Sequence, residues 1–247
     1  AVIAHAQVLS QLERAPAATE LLKAAFGDAP DPALDGLRAD LAAGKPVAYD
    51  SVTTATQGVA EVFFSVAGAL AQENDDAFTL AYARLAHVVR PDHADAILLS
   101  AELLEQQEQY DLATEAYNLI PSDSPDWHKA ELGRAAALIE ADKADAAIEV
   151  LQNLGKESPD LAVVWSTLGD TLRRTERFAE AIVAYDKAIA AFATTEPQQR
   201  VVYYARGIAK ERQKDWDGAV ADFRKSLELS PDQPQVLNYL GYSYLEL

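Results

Sequence analysis

The stretch WSTLGDTLRRTERFAEAIVAYDKAI, residues 165–189, decides the fold. Small residues at Gly169 and Ala181 lie twelve apart, on either side of a polar break at Thr175, Glu176 and Arg177, so two helices joined by a short turn approach closely at that pair. Four residues after Ala181 stands Tyr185, a large side chain suited to the packing layer beside the contact. Working outward, Gly207 and Gly241 follow Gly169 at steps of 38 and 34, and Ala135, Ala101 and Ala67 precede it at steps of 34. The second small position recurs as Thr79, Ala113, Ala147, Ala181 and Ala219, and the packing-layer position four residues on as Ala83, Tyr117, Leu151, Tyr185 and Phe223. Pro91, Pro125, Pro159, Pro197 and Pro231 stand where each second helix must stop. At the start of the chain Ala6, Leu9, Ala18, Leu22, Ala25 and Pro30 keep the same mutual offsets. Two short amphipathic helices cannot bury both faces alone, so such units must stack on their neighbours.

Two departures from the period carry expectations. The step of 38 adds four residues between Ala181 and Pro197, which predicts a helix from about Phe178 that runs a turn longer than its counterparts. Between Ala18 and Thr79 there are 27 residues more than one period, and the extra stretch contains DPALDGLRADLAAGKPVAYDSV, residues 31–52. It is expected to form a short helix over 32–43, a loop over 44–50 and a long helix over 52–72, with spacing or capping as its role and partner binding as the other reading. The domain division that follows is a helix pair over 1–32, an inserted helix and loop over 33–59, and a repeat array over 60–247 that ends in an incomplete repeat. Leu237, Leu240 and Tyr244 form a stripe expected to pack on a helix lying beyond Leu247, or else to meet a second copy of the chain.

Composition narrows the function classes. With 49% apolar and 24% charged residues among 247, the chain has the make-up of a folded protein. No apolar run reaches the roughly 18 to 20 residues of a membrane span, so direct membrane insertion is not expected. The absence of Met leads us to expect a processed product or a piece of a longer protein, and the absence of Cys excludes disulfides and thiolate metal sites. Of the net charge of −18, all falls in residues 1–172, which hold 28 acidic and 10 basic side chains, whereas residues 173–247 hold 11 of each. A nucleic-acid surface needs the opposite sign, so nucleic acid is not an expected partner.

Catalytic signatures are missing. There is no phosphate-binding glycine loop, dinucleotide fingerprint, HExxH or GxSxG. His5, His87, His93 and His128 fall in different repeats, so no metal site is expected from them. The acidic DWDG at 215–218 lacks the remaining ligands of a calcium loop and is read as the turn and first residues of a second helix, with Trp216 matching Phe178 and Tyr110. No catalytic residue, cofactor or metal is expected, and the chain is read as a non-enzyme.

The segment 165–189, with Trp165, Leu168, Gly169, Ala181, Tyr185 and Ala188, closely resembles the consensus of tetratricopeptide repeats, whose period is 34 residues. The resemblance implies an all-α, right-handed superhelical solenoid of antiparallel helix pairs. It also implies a concave groove, lined by the first helix of each pair, that holds a peptide or protein. Helical geometry places Asp95, Leu98, Glu102 and Glu105 on the inner face of one repeat and Lys129, Leu132 and Ala136 on the next. Ser166, Asp170, Arg173 and Arg174 follow, then Tyr204, Ile208, Glu211 and Arg212, then Asn238 and Tyr242. Arg173, Arg174, Tyr204, Arg212, Asn238 and Tyr242 are the candidate partner-binding residues, because Arg and Tyr dominate interface energetics. Family members that clamp chaperone tails carry Lys and Asn on successive first helices; here only Asn238 matches, with Leu132, Ser166 and Tyr204 where Lys would stand. GVAEVFFSVAGAL at 58–70, together with YARG at 204–207 and LNYLGYSY at 237–244, resembles large tetratricopeptide proteins of the bacterial envelope. Some of those are lipid-anchored adaptors for a carboxyl-terminal processing protease. The resemblance implies an adaptor in the periplasm or cell envelope; a cytoplasmic scaffold, the non-catalytic arm of a larger enzyme and a self-assembling structural element are the alternatives.

Overall fold

The computed structural model describes residues 2–29, 31–73, 75–192 and 197–246. Among them are fourteen α-helices, one short 3-10 turn at Pro197–Gln199, and no strand. The chain divides into two compact units, Ala1–Gly133 and Arg134–Leu247.

The first unit holds α1 (Val2–Gln11), α2 (Ala15–Phe26), α3 (Pro32–Ala42), α4 (Ala55–Gln72), α5 (Asp76–Val89), α6 (Ala94–Gln106) and α7 (Tyr110–Tyr117). The next helix, α8 (Trp127–Glu140), contributes residues to both units. The second unit continues with α9 (Ala144–Glu157), α10 (Ala162–Arg174), α11 (Phe178–Ala191), α12 (Arg200–Arg212), α13 (Trp216–Leu229) and α14 (Pro234–Glu246). Successive helices pair as α4 with α5, α6 with α7, α10 with α11 and α12 with α13, and each pair stacks on the next: α5 on α6, α11 on α12, α13 on α14. This is a solenoid of helix pairs.

The turns inside the pairs share one device. Glu13, Glu108, Asp142, Glu176 and Lys214 all take left-handed backbone, with φ between 59° and 63°. After α10, the Glu176 amide donates to the Arg173 carbonyl and the Arg177 amide to the Leu172 carbonyl. The same double bond pattern recurs at Glu13, Glu108, Asp142 and Lys214, and it satisfies the carbonyls left over at each helix end. Starts are fixed by side chains: Asp215 accepts from the Gly218 amide at the head of α13, and Asp75 from Phe78 at the head of α5. The DWDG segment is therefore a turn and helix start, as its sequence suggested.

Both small-residue series converge on the core except at Gly241, which is exposed with nothing within 4 Å of a Cβ there. Ala67, Ala101, Ala135, Thr79, Ala113, Ala147, Ala181 and Ala219 are fully buried, as are Ala83, Leu151, Tyr185 and Phe223. Burying each of the larger side chains contributes about 1.5–3 kcal/mol. A side chain cannot replace the glycines here, because a Cβ on Gly169 would lie 2.5 Å from the Tyr185 ring and one on Gly207 2.6 Å from the Phe223 ring. Ala6, Leu9, Ala18 and Leu22 form a separate core with Leu41 from the insertion, while Ala25 is exposed rather than packed. Pro30 lies outside the described residues.

Two boundary expectations are corrected. Helix α11 has 14 residues, as do α9 and α13, so it gains no extra turn. Phe192 takes extended backbone and ends it. Helix α4 begins at Ala55, later than the sequence suggests, because Thr54 and Gln57 form a reciprocal capping box that sets the first turn.

The insertion is fastened by polar contacts. Gln7 of α1 donates to Asp50 at 2.6 Å and accepts from the Ser51 hydroxyl at 2.8 Å. The Val47 amide donates to Ser10 Oγ at 2.9 Å, and Arg90 donates to the Ser51 carbonyl at 3.2 Å. Asp31 caps α3 and lies 3.3 Å from Lys129 Nζ and 3.7 Å from His128 Nε2.

Candidate functional site: the first-helix face of residues 134–247

In the second unit the first helices lie side by side: α10 packs on α12, and α12 on α14. Their outward residues form a continuous strip whose character changes along it.

On α10 the strip is organised around a buried tyrosine. Tyr185 of α11 passes beneath Gly169, and its hydroxyl emerges to donate to Asp170 Oδ1 at 2.7 Å and accept from Arg173 Nε at 3.2 Å. Burial, with Asp170 beside it, pushes the Tyr185 hydroxyl well above the usual phenol range. Burial by itself would lower the Arg173 guanidinium, but Tyr185 and Asp170 outweigh it and the net shift is upward. Arg173 is thereby oriented and half-buried, while its neighbour Arg174 is exposed, 3.9 Å from Glu140. A surface pair of that kind contributes about 0–1 kcal/mol, so Arg174 is available at little cost.

On α12, Tyr204 is not the surface residue the sequence suggests. It is half-buried, with its ring 6.1 Å from Phe223 and 5.7 Å from Tyr239, and it belongs to the packing between α12, α13 and α14. Burial raises its hydroxyl, Tyr239 adds to the rise, and Arg173 opposes it, which places Tyr204 in the field of Arg173. Arg212, at the end of α12, is exposed. Glu211 beside it is buried and faces inward, contrary to the expected strip.

Asn238 and Tyr242 on α14 are both exposed, and the Tyr242 ring meets Trp216 edge-on at 6.2 Å. The other side of α14 is the packed one: Val236, Tyr239 and Leu240 cover Phe223 and Ala219. Leu237 and Tyr244 are 50% and 45% exposed, so of the stripe read from the sequence only Leu240 packs on the preceding pair. Arg224 of α13 donates to the Tyr244 hydroxyl.

The six candidate residues thus fall into two sets. Arg173, held by Tyr185 and Asp170, and Tyr204, packed against Phe223 and Tyr239, are built into the structure; Arg174, Arg212, Asn238 and Tyr242 stand outward. The outward groups supply guanidinium and amide donors with an aromatic edge between them, a combination suited to carbonyls, carboxylates and apolar side chains of a polypeptide. In the first unit the expected inner-face residue Lys129 is engaged instead by Asp31 and Asp126.

The face also rests on a charge cluster the sequence pattern did not reveal. Asp222 of α13, with a side chain only 5% exposed, accepts from Arg206 at 2.6 and 2.8 Å and pairs with Lys210 at 2.9 Å. Arg206 also reaches Asp186 of α11 at 2.6 Å. The signal available in sequence was only charge at positions where the period calls for apolar residues.

The sequence profile of the tetratricopeptide repeat family matches residues 166–234 and, overlapping, 204–247. A crystal structure of MamA is similar with a TM-score of 0.60 at 20% identity, over 69% of this chain and 91% of that one. YrrB, described as a tetratricopeptide protein with an unusual peptide-binding site, superposes with a TM-score of 0.58 at 15% identity, over 75% of this chain and 97% of its own. PilF of Pseudomonas aeruginosa gives 0.61 at 14% identity, over 78% and 87%. Protein FlbA of Caulobacter vibrioides is 27% identical over 177 residues, which are 71% of this chain and 29% of FlbA. The chain therefore spans less than a third of that relative's length.

Proposed function

We propose that this chain, a tetratricopeptide repeat protein by its match over residues 166–247 and by its solenoid of helix pairs, is a non-enzymatic scaffold. It holds a polypeptide partner on the first-helix face of residues 134–247. The observation that carries this reading is the set Arg174, Arg212, Asn238 and Tyr242, all outward on adjacent first helices, with Arg173 and Tyr204 behind them. Arg and Tyr are the residue types that most often anchor interfaces, and YrrB, of similar fold, is described as binding a peptide.

The finer reading is an adaptor in a bacterial envelope that presents substrates to a processing protease. It is supported by the resemblance of residues 58–70 and 201–247 to such proteins. The rival, a non-catalytic arm of a larger enzyme, differs in what the complete protein would turn over.

The test uses the chain as bait. Capture by crosslinking in the source cells, followed by calorimetry with the recovered polypeptide, gives an affinity for the unaltered chain and for the triple variant Arg174→Ala, Arg212→Ala, Asn238→Ala. These positions are exposed, so the melting curve should hold while binding falls at least tenfold, a loss of about 1.4 kcal/mol or more. Unchanged affinity in the triple variant would place the partner elsewhere. Tyr204→Phe is the suitable change at that position, because removal of the ring would open the packing against Phe223.

A further inference from the structure

Two second helices and the first helix between them form a site in residues 134–247 that uses none of Arg174, Arg212, Asn238 and Tyr242. Between α9 and α11, over α10, lies a cleft of about 510 Å³. Its floor is Trp165, Leu168 and Leu172, its rim carries Lys156 from α9, and Val183 and Lys187 come from α11. The floor side chains are apolar and closely packed, Trp165 7%, Leu168 4% and Leu172 2% exposed, and Val183 at the edge is 55% exposed. A volume of this size lies within the roughly 300–1,000 Å³ of sites that take small ligands or peptide side chains.

The cleft is held in shape. Trp165 donates from its indole nitrogen to the Pro159 carbonyl at 2.8 Å, and its ring fits against Gly155 so closely that a Cβ there would lie 2.6 Å away. Lys187 Nζ sits over that indole, 4.1 Å from its centre, in a cation–π contact at the side of the cleft. Lys156 Nζ donates to Asn153 Oδ1 at 3.1 Å. Among the described residues neither lysine pairs with a carboxylate, and Glu180, which lines the same cleft, is held by Arg177 at 2.6 and 2.8 Å. In a chain of net charge −18, two lysines without an ion pair, beside a slot whose own carboxylate is held by Arg177, favour an anionic visitor.

We propose that this cleft is a second docking site, for a polypeptide segment that carries an aliphatic side chain next to an Asp or Glu. The aliphatic group enters between Val183 and the Leu168–Leu172 floor, and the carboxylate accepts hydrogen bonds from Lys156 and Lys187. The cleft shares α10 with the first-helix face but none of Arg174, Arg212, Asn238 and Tyr242 lines it, so one chain can hold a partner on that face and a second segment in the cleft.

The test screens the full chain against a displayed library of random linear peptides and measures the recovered peptides by fluorescence anisotropy. The proposal requires a class with aliphatic residues beside Asp or Glu. Its affinity falls at least tenfold in the Lys156→Glu, Lys187→Glu double variant and falls similarly in Val183→Asp. It weakens with added salt and does not change in the Arg174→Ala, Arg212→Ala variant. All the altered side chains are exposed, and an unaltered circular dichroism melt verifies that each variant folds. Recovery of no peptide that depends on the lysines overturns the proposal, as does a lysine-sensitive class without acidic residues. Peptides sensitive only to Arg174 and Arg212 would overturn it too, while leaving the first-helix face intact.

Discussion

Residues 134–247 and residues 1–133 are built from the same kind of helix pair but are secured differently. In the second unit a first-helix glycine lies beneath an aromatic ring of its own second helix twice, Gly169 under Tyr185 and Gly207 under Phe223, and Gly155 meets Trp165 of the next helix; the first unit holds one such contact, Gly133 against Tyr117. In the first unit alanines stand at the matching places, Ala67 and Ala101, and the distinctive contacts are polar braces from an insertion: Gln7 to Asp50, Ser10 to Val47, Asp31 to Lys129. The ring contacts hold α10 close to α11 and α12 close to α13 in residues 134–247. Particular long-range contacts give the first unit a local architecture, and they take up groups such as Lys129 that the repeat alone would leave outward. The difference explains why the proposed binding residues cluster in the second unit.

The sharpest way to break this contrast is to remove a group that couples the regular pairs. Arg206→Ala leaves the buried Asp222 carboxylate with Lys210 alone, and loss of one partner from a buried pair costs about 3–5 kcal/mol. Urea unfolding followed by circular dichroism should register a loss of that order. Asp31→Ala in the first unit, where the side chain is 23% exposed, should cost only about 1–2 kcal/mol through the lost cap and surface pair. Equal losses would mean that the two units are secured alike.

Next in size is the glycine fit. Gly207→Ala drives a Cβ into the Phe223 ring and should destabilise by about 1–3 kcal/mol. Gly241 occupies the same repeat position on α14 but has nothing within 4 Å of its would-be Cβ. There the same substitution should stabilise by about 0.5–1 kcal/mol through helix propensity. Thermal melts of the two variants should therefore move in opposite directions, and a shared direction would show that ring contact does not govern this position.

A smaller effect belongs to the first unit. His93 caps α6 by accepting the Ala96 amide at Nδ1, at 3.3 Å, and its Nε2 lies 3.4 Å from Glu61. Burial lowers the imidazole below its ordinary 6.5, opposed by Glu61, Asp95 and Asp92 and aided by Arg90. The folded state keeps the ring neutral while the unfolded chain takes up the proton. The stability it contributes is therefore complete above about pH 6.5 and declines as the pH falls toward the folded value. His93→Asn keeps a cap acceptor without titrating. The difference in melting temperature between variant and unaltered chain should change between pH 7 and about pH 5 in favour of the variant; a pH-independent difference would remove His93 from the account.

What could be read from sequence follows the same division. The positions Thr79, Ala113, Ala147, Ala181 and Ala219 were recoverable because each repeats a purely local requirement, close approach of two helices, and all five are fully buried. The left-handed turns were not recoverable as such, because Glu and Lys occupy positions where Gly or Asn would have announced the backbone. The length of α11 was misjudged because an added four residues fit a helical turn as readily as a connection, and only the extended backbone at Phe192 distinguishes them. Of the candidate site, helical geometry identified the outward Arg174, Arg212, Asn238 and Tyr242. It could not tell that Tyr204 is drawn inward by Phe223 and Tyr239, nor that Asp222 gathers Arg206 and Lys210 behind the face. Those facts depend on which helix packs next, and the period by itself carries no side-chain partner.

Hydrogen exchange of the full chain, with and without the polypeptide recovered by crosslinking, tests the central claim most directly. The account predicts slowed exchange on α10, α12 and α14, concentrated around Arg174, Arg212 and Asn238, with the amides of residues 1–133 unchanged. Protection confined to the first unit, or spread over α9 and α11 without the first helices, would contradict it.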